Sequence, residues 1–111
     1  MNSMTVGARA IELDKDGFLV DLSDWSAEVA SALAAAEDIE LTPEHWEVLE
    51  LLRSFYAEFQ LSPATRPLIK YTALKLGADK GNSLHLNRLF KGTPAKLAAK
   101  LAGLPKPTNC L

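Results

Sequence analysis

Residues 42–59 read Thr42-Pro-Glu-His-Trp-Glu-Val-Leu-Glu-Leu-Leu-Arg-Ser-Phe-Tyr-Ala-Glu-Phe59, and this stretch decides the fold class. Thr42 suits an N-cap, where a side-chain oxygen accepts a free backbone N–H. Pro43 fits the first helical position, which needs no N–H, and Glu44 puts an acid where the helix dipole favours one. Trp46, Val48, Leu49, Leu51, Leu52, Phe55, Tyr56 and Phe59 then cover far more than one stripe of about 100°. The stretch predicts the central, most buried helix. Its aromatics Trp46, Phe55, Tyr56 and Phe59 are expected in the core rather than as a base-stacking platform.

Towards the N-terminus, Ser23 or Asp24 can cap an alanine-rich helix through Trp25, Val29, Leu33 and Ala36. Before it, residues 6–13 and 17–22 alternate as two short strands, with Asp14-Lys-Asp-Gly17 as the turn between them. Two strands alone are marginal, so this hairpin must lean on a helix. Towards the C-terminus, Ser62-Pro63 repeats the start signal. A helix through Leu68, Ile69, Tyr71, Leu74 and Leu76 follows to Gly77, with Pro67 making its first turn irregular. After a turn at 79–83 comes a short helix with Leu84, Leu86, Leu89 and Phe90. Thr93-Pro94 opens a last helix through Leu97, Ala98 and Leu101, stopped by Gly103. The expected fold is mainly α: a small orthogonal bundle of about five helices in one domain over 1–111. An N-terminal β-hairpin occupies 5–22, the helical body 23–103 and an extended C-terminal arm 104–111.

Composition narrows the function classes. With 111 residues, 48% apolar and 23% charged, the chain is an ordinary globular one and not a disordered one. No run approaches the roughly 18 apolar residues of a membrane span. The start, Met1-Asn-Ser-Met-Thr-Val-Gly7, lacks a basic region feeding an apolar stretch, so a cytoplasmic monomer or small oligomer is expected. A single cysteine excludes an intramolecular disulfide and any multi-cysteine zinc site. His45 and His85 have no carboxylate or cysteine at ligand spacing, and no glycine-rich phosphate loop exists, so neither metal nor cofactor is expected. His45 reads as a surface or capping histidine. Ser83 lacks the context of a nucleophile elbow.

The charge is divided unevenly. Residues 1–61 hold three basic side chains against thirteen acids, a net −10, whereas residues 62–111 hold nine against Asp79 alone, a net +8. Either the surface is polarised for an acidic protein or nucleic acid, or the two halves pack together and partly neutralise each other. Lys96 and Lys100 stand at i, i+4 on the last helix, and Arg66, Lys70, Lys75, Arg88 and Lys91 come from the two helices before it. The pair 65–76 and 83–90 has the layout of a helix-turn-helix, but helical hairpins are common in bundles and the chain is acidic overall.

The last eight residues, Leu104-Pro-Lys-Pro-Thr-Asn-Cys-Leu111, differ in kind. Pro105 and Pro107 forbid helix and favour extended backbone, so the arm can reach about 25 Å at ~3.3 Å per residue. It carries the lone thiol, Cys110, next to last. A thiol attacks as thiolate, and free cysteine has a pKa near ~8.5. The neighbouring terminal carboxylate opposes ionisation, so activation must come from a partner's pocket or from the basic half of the chain. Chain position alone leaves two readings: a free surface cysteine at a terminus, or a carrier whose sulfur visits two sites in turn.

Several stretches bear a family resemblance: Thr42-Pro-Glu-His-Trp-Glu47, Phe55-Tyr-Ala-Glu-Phe59, Ser62-Pro-Ala-Thr-Arg66, Lys80-Gly-Asn-Ser83 and above all Gly103-Leu-Pro-Lys-Pro-Thr-Asn-Cys-Leu111. Together they resemble the DsrC/TusE family over nearly the whole chain. The resemblance implies a helical fold with an N-terminal hairpin and a flexible C-terminal arm. It also implies that Cys110 carries sulfur as a persulfide. DsrC proteins have a second cysteine upstream, where this chain has Ala99; the single-cysteine pattern resembles the TusE branch. That implies a sulfurtransferase of a sulfur relay, taking sulfane sulfur from a TusBCD-type complex. It would pass the sulfur to an MnmA-type thiouridylase making wobble 2-thiouridine in tRNA, with indirect tRNA contact and no membrane. Arg66, Lys96, Lys100 and Lys106 are candidates for positioning the arm, its carboxylate or a partner, and Pro105 and Pro107 for limiting the arm's entropy loss. The alternative is a helix-turn-helix-like regulatory or sulfur-sensing relative without onward delivery.

Overall fold

Five α-helices follow an antiparallel hairpin in the computed structural model, which describes residues 2–107. The strands β1 (Asn2–Val6) and β2 (Arg9–Leu13) pair from Asn2 against Leu13 to Val6 against Arg9. Their turn is Gly7-Ala8, with Gly7 at φ +61°, not the Asp14–Gly17 turn expected from the sequence. That second turn does form. Asp14 Oδ1 accepts from the N–H groups of Asp16 (2.8 Å) and Phe18 (3.0 Å), but the chain beyond it returns only as a single bridge, Leu13 to Leu19. Phe18 and Leu19 turn into the core there, which ends the ladder. As expected, the hairpin rests on helix, against α1 (Ala27–Ala36), with Ile11 fully buried.

The cap of α1 is Ser26, whose hydroxyl accepts from the Val29 N–H at 3.2 Å. The expected cap residues Ser23 and Asp24 belong instead to a 3₁₀ turn at Leu22–Asp24, held by Asp21 accepting from Ser23. Helix α2 (Pro43–Phe59) starts where Thr42-Pro43 predicts, with Thr42 accepting from the His45 N–H and His45 Nδ1 accepting from the Thr42 N–H. The His45 ring is buried, and its Nε2 donates to the Leu89 carbonyl at 2.9 Å. It is a capping histidine, for two helices at once, and not a surface one. Helices α3 (Thr65–Leu76), α4 (Ser83–Leu89) and α5 (Pro94–Leu101) complete the bundle. Pro67 falls in the first turn of α3, where its missing N–H costs nothing.

The central helix is α5, not α2. Six of its eight residues are buried (Pro94, Ala95, Leu97, Ala98, Ala99 and Leu101), and it touches α1, α2, α3 and α4. The cause is size: alanines let four neighbours approach a short helix closely, whereas a rod studded with aromatics cannot be surrounded. Only His45, Val48, Leu49, Leu51 and Leu52 of α2 are buried. Its outer half leaves Phe59 48% exposed, its ring tilted against that of Phe55 at 4.6 Å between centres, and Phe55 meets Tyr71 edge-on at 5.0 Å. None of the described helices is long and apolar enough to cross a membrane.

The two charged halves do pack on each other. Lys80 meets Glu47 (2.5 Å), Lys100 meets Glu37 (2.9 Å) and Lys106 meets Asp16 (3.5 Å), each pair joining the basic half to the acidic one. The hydrogen bond to Glu47 raises the Lys80 pKa above 10.5. While Glu47 is ionised, the contribution of that pair is therefore fully present below the ordinary lysine range, and it disappears as pH climbs through the raised value.

Gly103 tests the packing. It sits at φ +74°, and a Cβ there would lie 2.3 Å from Trp25 Cδ1, while Gly92 at φ +85° has open space around it. Gly92→Ala should cost about 1 kcal/mol of backbone strain, and Gly103→Ala roughly 2–4 kcal/mol because overpacking is added. Urea denaturation of both variants reads the difference as a shift in midpoint at constant slope.

Candidate functional site

The arm that bears Cys110 leaves the C-terminal end of α5, so the site is built from that end outward. A helix ends with carbonyls that lack intrahelical partners, and here the end is buried. Each of the four is satisfied. Gly103, in the left-handed region, turns the chain so that its N–H reaches the Lys100 carbonyl (3.1 Å) and the Leu104 N–H reaches that of Ala99 (2.9 Å). The Trp25 indole Nε1 donates to the Leu101 carbonyl at 2.9 Å, and Arg53 Nη1 donates to the Ala102 carbonyl at 2.7 Å. The guanidinium carbon lies 4.0 Å from the centre of the Trp25 ring, a cation–π contact that fixes both donors together. Partial burial holds the Arg53 pKa below the usual guanidinium value, and the group remains charged at neutral pH.

Beyond the helix the arm stays on the body. Ser62 Oγ donates to the Pro105 carbonyl at 2.5 Å, the Lys106 ammonium stands 3.5 Å from Asp16 Oδ2, and Leu104 and Pro107 are buried. The arm expected over 104–111 is therefore anchored through Pro107. Cys110, the expected sulfur-bearing residue, lies outside the described residues.

The other expected residues divide. Lys100 is mostly buried, pairs with Glu37, stands 5.6 Å from the Phe18 ring and rests on Gly17 in the Asp14–Gly17 turn. Lys106 reaches the same turn through Asp16, so these two lysines meet one structural feature. Lys96 shares a cleft with Lys100, as their i, i+4 spacing implies. Pro105 is exposed but held by its carbonyl, and Arg66 is exposed in the first turn of α3, apart from the anchoring contacts. Sequence reasoning missed Trp25, Arg53, Asp16 and Ser62 as arm anchors. Ser62 had a local signal, but it reads as a helix start; the helix begins at Thr65 and the hydroxyl serves the arm.

A family model described as DsrC like protein matches residues 5–111. The chain is 52% identical over 108 residues to a protein of Haemophilus influenzae named Sulfurtransferase TusE homolog, covering 97% of this chain and 99% of that one. It is 52% identical over 103 residues to Sulfurtransferase TusE of Escherichia coli K12, covering 93% and 94%. Among solved structures, the NMR structure of Allochromatium vinosum DsrC superimposes with a TM-score of 0.90 at 44% identity, covering 99% and 98%.

The anchoring hydrogen bonds have a local readout. Ser62→Ala leaves the Pro105 carbonyl without its donor, a loss of about 1 kcal/mol. Hydrogen exchange at the Leu104 amide should then quicken about fivefold, while amides of α2 keep their rates. Unchanged exchange at Leu104 would show that Ser62 does not hold the arm.

Proposed function

The chain belongs to the DsrC-like family, and we propose that within it this protein is a sulfurtransferase, a carrier in a sulfur relay that works through Cys110. The observation that carries the reading is the terminal sequence Gly103-Leu-Pro-Lys-Pro-Thr-Asn-Cys-Leu111, with its one cysteine next to last, in a chain 52% identical to proteins named TusE. Cys110 is the single cysteine, and by family likeness Ala99 stands where DsrC proteins carry a second one, so one chain has no thiol with which to close a loop. Its sulfur must be exchanged with other proteins.

The proposed chemistry is thiol–persulfide exchange. The Cys110 thiolate attacks the outer sulfur of a donor persulfide, the S–S bond of the donor breaks, and the donor thiolate leaves. Cys110 then bears the outer sulfur as a persulfide. An acceptor thiolate attacks that same sulfur, and Cys110 departs as thiolate, so each transfer makes one S–S bond and breaks one with no net redox change. Lys106 is directed to Asp16, which leaves the partner's docking pocket to supply the charge that favours the Cys110 thiolate. By family likeness the donor is a TusBCD-type complex and the acceptor an MnmA-type thiouridylase that forms 2-thiouridine at the tRNA wobble position. A cytoplasmic setting fits this role. Lys100 and Lys106 would position the arm base through Glu37 and Asp16, and Lys96 and the exposed Arg66, which lies apart from the arm, would meet a partner.

Intact mass spectrometry after incubation with a persulfide donor should show the gain of one or more sulfur atoms, lost in Cys110→Ser. A chain ending at Pro107 should fold normally and gain none, whereas removal from Leu104 onward would also strip a buried leucine from the core. Cys110→Ser that still takes up and delivers sulfur would overturn the reading. In cells lacking the chain, wobble 2-thiouridine should fall; an unchanged level would remove tRNA as the destination.

A further inference from the structure

The cleft shared by Lys96 and Lys100, of about 230 Å³, lies beside the arm base and is lined by Glu37, Lys91, Thr93, Lys96, Leu97 and Lys100. Three lysines line it with one glutamate, an excess of two positive charges around an open cleft. Glu37 fixes two of them, the Lys100 ammonium at 2.9 Å from its Oε2 and the Lys91 ammonium at 2.6 Å from its backbone carbonyl. An ammonium has three N–H donors and no acceptor, so each retains donors for a ligand. Lys96 makes no ion pair among the described residues, and the Thr93 hydroxyl makes no capping bond to α5. Leu97 supplies an apolar wall.

We propose that this cleft binds a phosphate oxyanion and that, resting on the relay reading above, the phosphate belongs to the backbone of the RNA held by the sulfur acceptor. Ammonium point charges suit a tetrahedral phosphate approached from several sides, whereas a carboxylate is best matched by the planar fork of arginine, and the cleft has none. The site is preorganised because Lys91, Thr93, Lys96 and Lys100 come from one short segment pinned to the C-terminal end of α1. It is also close to the tether. Lys100 rests on Gly17, and the adjacent Asp16 receives Lys106 of the arm. RNA seated here would lie beside the arm base, with Lys106 on the same turn, while the acceptor holds the rest.

The test uses the full chain and its Cys110→Ser variant, so that binding is read without sulfur transfer. Titration with inorganic phosphate should move the amide resonances of Thr93, Lys96 and Leu97 saturably in both. A short RNA, followed by fluorescence anisotropy at several salt concentrations, should compete with phosphate for them. The double variant Lys91→Gln/Lys96→Gln should weaken both ligands at least tenfold and lower the salt slope of RNA binding by about one to two. Lys96→Arg should retain the RNA binding that Lys96→Gln weakens, and Lys91→Gln alone serves if the double variant misfolds. Shifts scattered away from the cleft, or binding indifferent to these substitutions, would overturn the site. Phosphate binding without RNA binding would overturn the RNA source. A chain that binds both ligands but never gains sulfur would sink the relay reading and leave the site standing.

Discussion

The buried C-terminal end of α5 is the constraint around which the molecule is arranged. Placing the ends of Ala99, Lys100, Leu101 and Ala102 away from water requires a donor for each carbonyl, and an unpaired one costs roughly 1–3 kcal/mol. The chain provides two donors locally by turning at Gly103 and imports two others, Trp25 from before α1 and Arg53 from α2. Those imports bridge 76 and 49 residues of sequence. They tie the N-terminal segment and the longest helix to the point where the arm departs, and they explain why a side chain at 103 has no room.

The same end links fold to chemistry. A carrier needs a fixed origin for its arm and a reactive group beyond it. The origin is rigid because three consecutive layers act on it: the capped helix end, the Ser62 hydroxyl on Pro105, and the buried ring of Pro107. Charge follows the same plan. The acidic and basic halves neutralise each other along their contact, and the Asp14–Gly17 turn gathers Lys100 and Lys106 on either side of the arm base.

Much of this was legible in the residues. Thr42-Pro43, Gly77, Thr93-Pro94 and Gly103 marked helix ends because capping is local chemistry, and the structure places helix boundaries beside each of them. The terminal cysteine sequence pointed to a family. What stayed hidden depends on distance through the chain. Trp25 reads as one more apolar helix residue until its indole is seen on Leu101, and Ser62 reads as a cap until it is seen on Pro105. The rank of the helices misled for a physical reason as well: apolar mass singled out α2, but close approach from all sides favours the alanines of α5. In the hairpin, the sequence signal pointed to the Asp14–Gly17 turn, but the ladder closes at Gly7 because Phe18 and Leu19 are spent in the core.

Anchoring through Pro107 shortens the leash. Only two residues, Thr108 and Asn109, stand between that buried ring and Cys110, a backbone span of at most about 11 Å over three steps. A sulfur so tethered cannot commute between two proteins seated at opposite ends of the body. For the relay proposed above, so short a tether requires donor and acceptor to use overlapping berths near the end of α5 and to take turns: the carrier would have to be released by one protein before the next could claim it.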